Sequence, residues 1–510
     1  MRTRRTVINT IYAVLFSIVS MTLGLATRNL LVNTFGGLIA GYAGTIEALY
    51  NFFSIAEFGI GGVISYRLYE TIGAKDVERT CKYMALYKWA YRVVAGIIFL
   101  ISVAGIFFLP LLIVDPATNW RDVYTLYLLI SISNLSGYFL ATRRLMYTCT
   151  QQGYVCTKID IVFDTATSFA KIGIALFCPH YVLWYTVPIV LGITANLIVG
   201  WRYKRDFPEM HEVKVCYRDF KELNLFHDMR YFLVHRISNT IYGASDTFVT
   251  TRMRGAATTT QLGNYSQISS KVTQVGNKIM DAFAAAIGNI VYDKNAAADN
   301  HARSIFRSMD LFSYAVGSFV ATAYFCLLQP FMRIWMGENA LLPMAFVFFF
   351  SINEYIGWNH RMICSYRSVL GRFEEDQWYM IASGISNLVL SFAIIGPCGL
   401  AGIVAVSVLA QCLMWFGRAR VVFRHYMPGD GMRYIGVQVV HIFTMLAALA
   451  LTSWLCGLLG GGLVNFIGKL LIVLVVPNAV NLAIYGWTPD AEYLRGYARK
   501  LLAKLHRKGK

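Results

Sequence analysis

An all-α, polytopic membrane fold is predicted by three features of this sequence: its composition, its recurring apolar runs and the placement of its cations. The chain of 510 residues is 56% hydrophobic and only 15% charged, with a mean hydropathy of +0.50. Soluble domains carry about a quarter charged residues, so composition argues against a soluble enzyme. Apolar runs of about 20 residues, the length a helix needs to cross the hydrocarbon core, recur along the whole chain. Backbone polar groups in lipid must be satisfied within the segment, which makes each run a helix. The alternation of a membrane β-barrel is absent.

Fourteen spans are predicted, centred near Ser20, Ser54, Ile98, Ser133, Thr167, Gly192, Ile241, Val275, Phe319, Ser351, Asn387, Val406, Ala447 and Leu474. The start, Met1-Arg2-Thr3-Arg4-Arg5, mimics a leader. The apolar stretch behind it runs on toward Leu31 with no small-residue cleavage motif, so it reads as the first span. The spans near Ile241 and Val275 are polar and score poorly on hydropathy alone. Charge supports counting them. With a cytoplasmic N-terminus, only Arg121, Arg252, Arg254 and Arg333 of the 46 Lys and Arg fall in outer loops. Arg28, Arg92, Lys171, Arg236, Lys271, Lys278 and Lys469 fall within spans, and all the others lie inside, as the positive-inside tendency requires. Omitting one span would invert every later loop. Both termini are expected in the cytoplasm, on a multi-pass protein of the cell membrane.

The same asymmetry accounts for the net charge of +18, so no nucleic-acid partner is expected. The expected organisation is an N-terminal lobe at 1–205, a cytoplasmic linker at 206–228, a C-terminal lobe at 229–425, two further helices at 426–487 and a basic tail at 488–510. Residues 217–223 of the linker suit a short interfacial helix. Thr488-Pro489-Asp490 is a helix-start signal, followed by Leu494, Tyr497, Leu501 and Leu505 on one face among Arg499, Lys504, Arg507 and Lys508. Such a helix suits an anionic inner leaflet, so membrane lipids are expected partners.

The ten cysteines show neither a CxxC pair nor metal-ligand spacing. No nucleotide-binding or hydrolase motif stands in a supporting context. The outer loops are too short for an extracytoplasmic catalytic domain, which argues against a membrane glycosyltransferase or glycan polymerase. A secondary transporter is the expectation, with no cofactor beyond a coupling H⁺ or Na⁺.

The informative residues lie inside the spans. In the eighth span Gln267, Lys271, Gln274, Lys278 and Asp281 recur every three or four residues, one stripe along a helix face that Asn264 extends. A Lys at mid-bilayer costs about 2.5–3.5 kcal/mol on insertion scales, relieved by a water-filled cavity or an anionic ligand. The second span carries Glu47, Asn51, Ser54, Gly61 and Ser65, with Glu57 beside them. The first carries Ser17, Gly24 and Arg28, and the seventh carries His235, Asn239, Tyr242 and Asp246, with Arg236 adjacent. Thus the first two spans of each half hold the polar seams, as in duplicated transporters built around a cavity. Arg28, Arg236, Lys271 and Lys278 call for an anion, and phosphate or pyrophosphate suits both Arg forks and Lys point charges. Glu47, Glu57, Asp246 and Asp281 can neutralise them in part or bind a coupling ion. Bland readings stand beside these. Asp164 and Lys171 on the fifth span read as an internally neutralised pair, Lys278 with Asp281 as a helix-helix tie, and Arg28 and Glu57 as snorkelling to an interface.

The segment Tyr50-Asn51-Phe52-Phe53-Ser54-Ile55-Ala56-Glu57-Phe58-Gly59-Ile60-Gly61, continuing through Ser65-Tyr66-Arg67-Leu68-Tyr69, resembles the second-helix signature of bacterial polysaccharide-export (Wzx-type) oligosaccharide flippases. Ser245-Asp246-Thr247, Gly255 and Gly263-Asn264-Tyr265-Ser266 resemble the seventh-to-eighth helix segment of the same proteins, which belong to the multidrug/oligosaccharidyl-lipid/polysaccharide exporter superfamily. The resemblance implies two six-helix lobes in a V around a central cationic cavity, with two extra C-terminal helices. It implies an undecaprenyl-pyrophosphate-linked oligosaccharide repeat unit as substrate, moved outward by alternating access, and a glycan polymerase and glycosyltransferases as pathway partners. By that analogy Arg28, Lys271 and Lys278 hold the pyrophosphate. The polar seams themselves add Arg236, Gln267, Gln274 and Asn51 as substrate-binding candidates. The alternatives are a multidrug or toxin cation antiporter of the same fold, whose site should be rich in carboxylates and aromatics, and a flippase for peptidoglycan or teichoic-acid precursors.

Overall fold

The computed structural model describes residues 2–496 and 499, apart from 58–59, 116–117, 217–218, 220–224, 292–299 and 371. Among them the regular structure is helical throughout. In chain order the helices are α1 (Arg2–Phe53), α2 (Ile60–Ala74), α3 (Val77–Gly105), α4 (Leu109–Leu112), α5 (Trp120–Leu140), α6 (Arg144–Cys149), α7 (Tyr154–Phe177) and α8 (Tyr181–Asp206). There follow α9 (Leu225–Arg254), α10 (Ala256–Val291), α11 (Asn300–Met336), α12 (Met344–Leu370), α13 (Gln377–His425), α14 (Gly431–Gly457) and α15 (Leu463–Tyr485).

Local chemistry sets the breaks. Asp76 caps α3 by accepting the Arg79 N–H at 3.0 Å, and Asn119 caps α5 by accepting that of Arg121 at 3.2 Å. At 1.5 Å per residue the 52 residues of α1 would run to about 78 Å, far beyond one bilayer core. The run is interrupted at Gly36, whose φ of 86° and ψ of 161° suit a residue without a Cβ. In α13 the interruption is Gly399, at φ 59° and ψ −149°, two residues after Pro397. Every predicted span centre falls in one of these helices except Ser54. That residue opens a 3₁₀ turn, Ser54–Glu57, and the path bends by 48° between α1 and α2.

Seven stretches are long and apolar enough to cross a membrane: Val77–Leu112, Trp120–Cys149, Tyr181–Asp206, Arg303–Met336, Gln377–His425, Gly431–Gly457 and Leu463–Tyr485. The bent α1–α2 pair raises the number to eight among the described residues. Neither α9 nor α10 is among them, because His, Asn, Gln and Lys interrupt their apolar residues.

The chain divides into two compact units, Met1–Gly276 and Asn277–Lys510, with the boundary inside α10. In the first unit Ile46, Ile64, Leu68 and Leu86 are fully buried in one core. Tyr50 ties three helices together, its hydroxyl bonding Ser102 Oγ at 2.8 Å and also Ser131 Oγ. Thr45, Thr251 and Thr259 form a buried hydroxyl chain at 2.8 and 2.9 Å that joins α1, α9 and α10. Where α1 meets the start of α10, a Cβ on Gly41 would overlap the carbonyl of Ala256.

In the second unit Arg367 donates to Asp376 through Nε at 2.8 Å and Nη2 at 2.6 Å, both side chains nearly inaccessible, with Arg418 Nε at 3.8 Å. Gln438 links α14 to two other helices, accepting from Asn359 at 2.7 Å and donating to Asp310 at 2.8 Å. A helical segment over 489–496 begins where Thr488 Oγ1 accepts the Ala491 N–H at 3.3 Å. Its Leu494 packs against the second unit's core. Apart from Asp219, the expected interfacial helix at 217–223 lies outside the described residues, as do Tyr497, Leu501, Lys504, Leu505, Arg507 and Lys508.

Gly41→Ala is expected to lower stability by about 1–3 kcal/mol, the range for overpacking a tight contact. Gly44→Ala, at a position where a Cβ meets nothing within 4 Å, is expected to be neutral or stabilising through helix propensity. Thermal midpoints of the purified variants in detergent check the difference.

Candidate functional site

The polar stripe on α10 meets α1 within the first unit. Arg28 Nε donates to Asn264 Oδ1 at 2.8 Å and Nη2 approaches the Thr260 carbonyl at 3.4 Å. The guanidinium lies over Gly263, where a Cβ would stand 3.1 Å from Nη2. One turn further along, Gln267 Nε2 donates to the Gly24 carbonyl at 3.0 Å, and Lys271 Nζ donates to Ser20 Oγ at 3.1 Å. Small residues on α1 therefore face long polar ones on α10. Snorkelling, the alternative reading of Arg28, is not what the structure shows, because its side chain turns onto a neighbouring helix.

Lys271 opens onto a cavity of about 180 Å³ whose lining includes Ser20, Gly24, Asp164, Thr165 and Ser168. The α7 residues stand here in roles different from those expected. Asp160 takes a bidentate pair with Arg144 at 2.9 Å for each bond, and Arg144 Nε also donates to Asn196 at 2.8 Å. Asp164 and Lys171 form no ion pair within 4 Å. Instead Lys171 Nζ lies 5.2 Å from the centre of the buried Trp184 ring, within reach of a cation–π attraction. The internally neutralised pair is thus corrected: seven residues and two helical turns separate these groups, and Lys171 lies against an aromatic ring instead.

Glu47 is exposed and lies within electrostatic reach of Arg28 and Lys171, while Asp164 lies within reach of Lys271 and Lys171. None of these five residues makes a carboxylate–cation contact within 4 Å to another. Three cations face two carboxylates, and the direct hydrogen-bond partners of Arg28 and Lys271 are neutral: an amide, a backbone carbonyl and a hydroxyl. A site built this way keeps donor capacity for an added anion, since an ammonium has three donors and a guanidinium five.

A second group surrounds the 3₁₀ turn. Arg236 Nη2 donates to Ser54 Oγ at 3.1 Å, and Glu57 and Arg236 both lie within electrostatic reach of Tyr91 and Tyr138. Asn51 is exposed on the same stretch, and so is Gln274 on α10. Asp246 is half-buried on α9. The structure thus brings Arg28, Gln267, Lys271 and Glu47 into one region, and Arg236 and Glu57 into another. The side chains of Lys278 and Asp281 lie outside the described residues. Sequence reasoning sets aside Lys171 and Asp164 and does not reach Trp184. The shared α7 face of Asp160, Asp164 and Lys171 is the available signal. Among the described residues no cluster of His, Cys, Asp and Glu is arranged to hold a metal ion.

No family model matches the chain, and no curated protein matches it. Solved structures do. "Lipid II flippase MurJ, inward closed conformation" aligns with a TM-score of 0.66 at 12% identity, covering 92% of this chain and 99% of that one. A point mutant of the Vibrio cholerae MATE transporter VcmN aligns with a TM-score of 0.58 at 12% identity, covering 84% and 98%. A MOP-superfamily transporter from Pyrococcus furiosus aligns at 0.56 and 13% identity, covering 83% and 96%, and is described as having a binding pocket of reverse polarity that suggests a different function. The chain shares the fold of these solved transporters. At these identities the likeness is one of architecture, and it covers nearly the full length of each relative.

Cysteine labelling tests which face of α10 water reaches. In a background lacking the exposed native cysteines Cys178, Cys216, Cys398 and Cys412, a cysteine at Gln274 is expected to react quickly with a membrane-impermeant maleimide. One at Asn264 or Ile268, both buried, is expected to react far more slowly.

Proposed function

We propose that this protein is a secondary transporter that flips a polyprenyl-pyrophosphate-linked oligosaccharide across the cytoplasmic membrane by alternating access. The observation that carries this reading is the set of Arg28, Lys171 and Lys271 on α1, α7 and α10, held by neutral partners and an aromatic ring. Burying cations without contact counter-ions is costly unless a ligand completes them. Pyrophosphate does so with several charge-assisted hydrogen bonds. Glu47 and Asp164 stand close enough to compete for the same cations, which gives an exporter a way to release its anion. In this reading they join Glu57, Asp246 and Asp281 as candidates for a coupling H⁺ or Na⁺.

The fourteen-crossing, two-lobed architecture, both termini in the cytoplasm and the Wzx-type substrate belong to the same proposal. So do the substrate roles of Arg236, Gln267, Gln274, Lys278 and Asn51, and glycan polymerase and glycosyltransferase partners. The lipid II flippase among the similar folds supports a lipid-linked glycan and keeps a peptidoglycan precursor within the class. A cation antiporter is disfavoured by a site in which positive groups outnumber negative ones.

Export complementation tests the reading. In a strain lacking its own oligosaccharide flippase, Lys271→Gln and Arg28→Gln are each expected to cut surface glycan at least about tenfold at equal membrane abundance. That is the effect of losing one charge-assisted contact worth about 1.5–3 kcal/mol. Undiminished export in the double variant would remove the pyrophosphate role.

A further inference from the structure

A second cationic recess lies in the first unit, away from the α1–α10 seam. Residues 207–216, which follow α8, form a strap that opens with a turn at 208–209, has no regular secondary structure beyond it, and packs across the ends of α3 and α8. Phe207 is buried, and Met210 and Val215 pack on the core. Cys81 Sγ lies 3.7 Å from Met210 Sδ and 3.6 Å from His211 Nδ1. Beyond the strap, Asp219 accepts the Cys216 N–H at 2.9 Å and pairs with Lys82 at 3.1 Å. The strap is therefore fastened at both ends.

Beneath it is a cleft of about 480 Å³. Its lining carries Lys88, Arg92, Arg143, Lys204 and Lys214 against a single carboxylate, Glu212. Only Lys88 has a carboxylate within 4 Å among the described residues, Glu212 Oε1 at 2.8 Å. Arg143 is seated by close approach to Gly200, a contact that a Cβ at that position would obstruct. The hydrogen bond from Lys88, then the charge of Lys88, and more weakly those of Arg143 and Arg92, hold the Glu212 carboxyl below its ordinary range. The strap itself thus places one anion among these cations, and that anion is favoured there. Trp89 and Met84 add an apolar floor. The second unit's cavity of about 300 Å³ is a contrast, since Arg303, Arg307 and Arg433 there meet Asp310, Asp430 and Asp490. An excess of Lys and Arg on one side of a membrane protein is ordinary. Their convergence on one cleft, roofed by a fastened strap that donates a lone carboxylate, is not explained by that tendency.

We propose that this cleft binds a phosphate group, from an anionic lipid headgroup or from a soluble phosphate, at the membrane boundary beneath the strap. Arg92 and Arg143 supply forked donors, Lys204 and Lys214 supply point charges, and Glu212 marks where the anion's oxygens sit. The apolar floor and the position at helix ends suit the glycerol side of a headgroup. This site is independent of which substrate crosses the membrane.

Hydrogen–deuterium exchange of the strap amides, on the full chain in nanodiscs, tests it. Moving the protein from phosphatidylcholine to phosphatidylglycerol nanodiscs is expected to slow exchange over 207–216 roughly tenfold, as for a site that is largely occupied. The triple variant Arg92→Gln, Lys204→Gln, Lys214→Gln changes three exposed side chains and should fold normally while losing that protection. Adding inorganic pyrophosphate to phosphatidylcholine nanodiscs separates the sources: protection there supports the phosphate site and assigns it a soluble ligand. Protection by neither probe, or equal protection in the triple variant, overturns the proposal.

Discussion

A guanidinium inside an apolar helix bundle must be answered by something polar, and Arg28 is answered by a neutral amide 236 residues away in sequence. That contact, with its companions Gln267 to Gly24 and Lys271 to Ser20, fastens α10 to α1 over two successive turns. The close approach at Gly41 and the threonine chain continue the same seam in the other direction. Because the partners are neutral, the seam holds the helices together without extinguishing the charges.

Elsewhere the chain treats charge differently. The half-buried Arg144 with Asp160, and the buried Arg367 with Asp376, are bidentate pairs of short hydrogen bonds. Breaking a buried pair such as Arg367–Asp376 typically costs about 3–5 kcal/mol, since the remaining partner is left uncompensated. These pairs are structural ties, complete in themselves. The contrast between completed pairs and the cations of the α1–α7–α10 region is what separates a scaffold from a site. Both arise from residue types that look alike in the sequence.

That contrast explains how far the sequence can be read. Apolar runs and glycine breaks are local properties, so the helical order is legible, including the polar α9 and α10 that hydropathy alone rejects. The α10 stripe is legible because helical period puts Asn264, Gln267 and Lys271 on one face. Which partner each stripe residue finds is not local. Gln267 serves the Gly24 carbonyl, a role that depends on how closely α1 approaches, and α7 spacing cannot reveal that Asp160 is taken by Arg144. Lys171 reads as neutralised because Asp164 shares its face, whereas Trp184 comes from another helix. The 3₁₀ turn at Ser54 also escapes, since its residues continue an apolar run.

Binding of a pyrophosphate by the α1–α7–α10 cations, from within the membrane, is the claim on which the transport reading rests. Calorimetric titration of the purified full chain with undecaprenyl pyrophosphate, against undecaprenyl alcohol as the uncharged control, measures this directly. Saturable binding of the pyrophosphate alone is predicted, weakened about tenfold or more by Lys271→Gln. Equal binding of the two lipids, or unaltered pyrophosphate affinity in the variant, would contradict it.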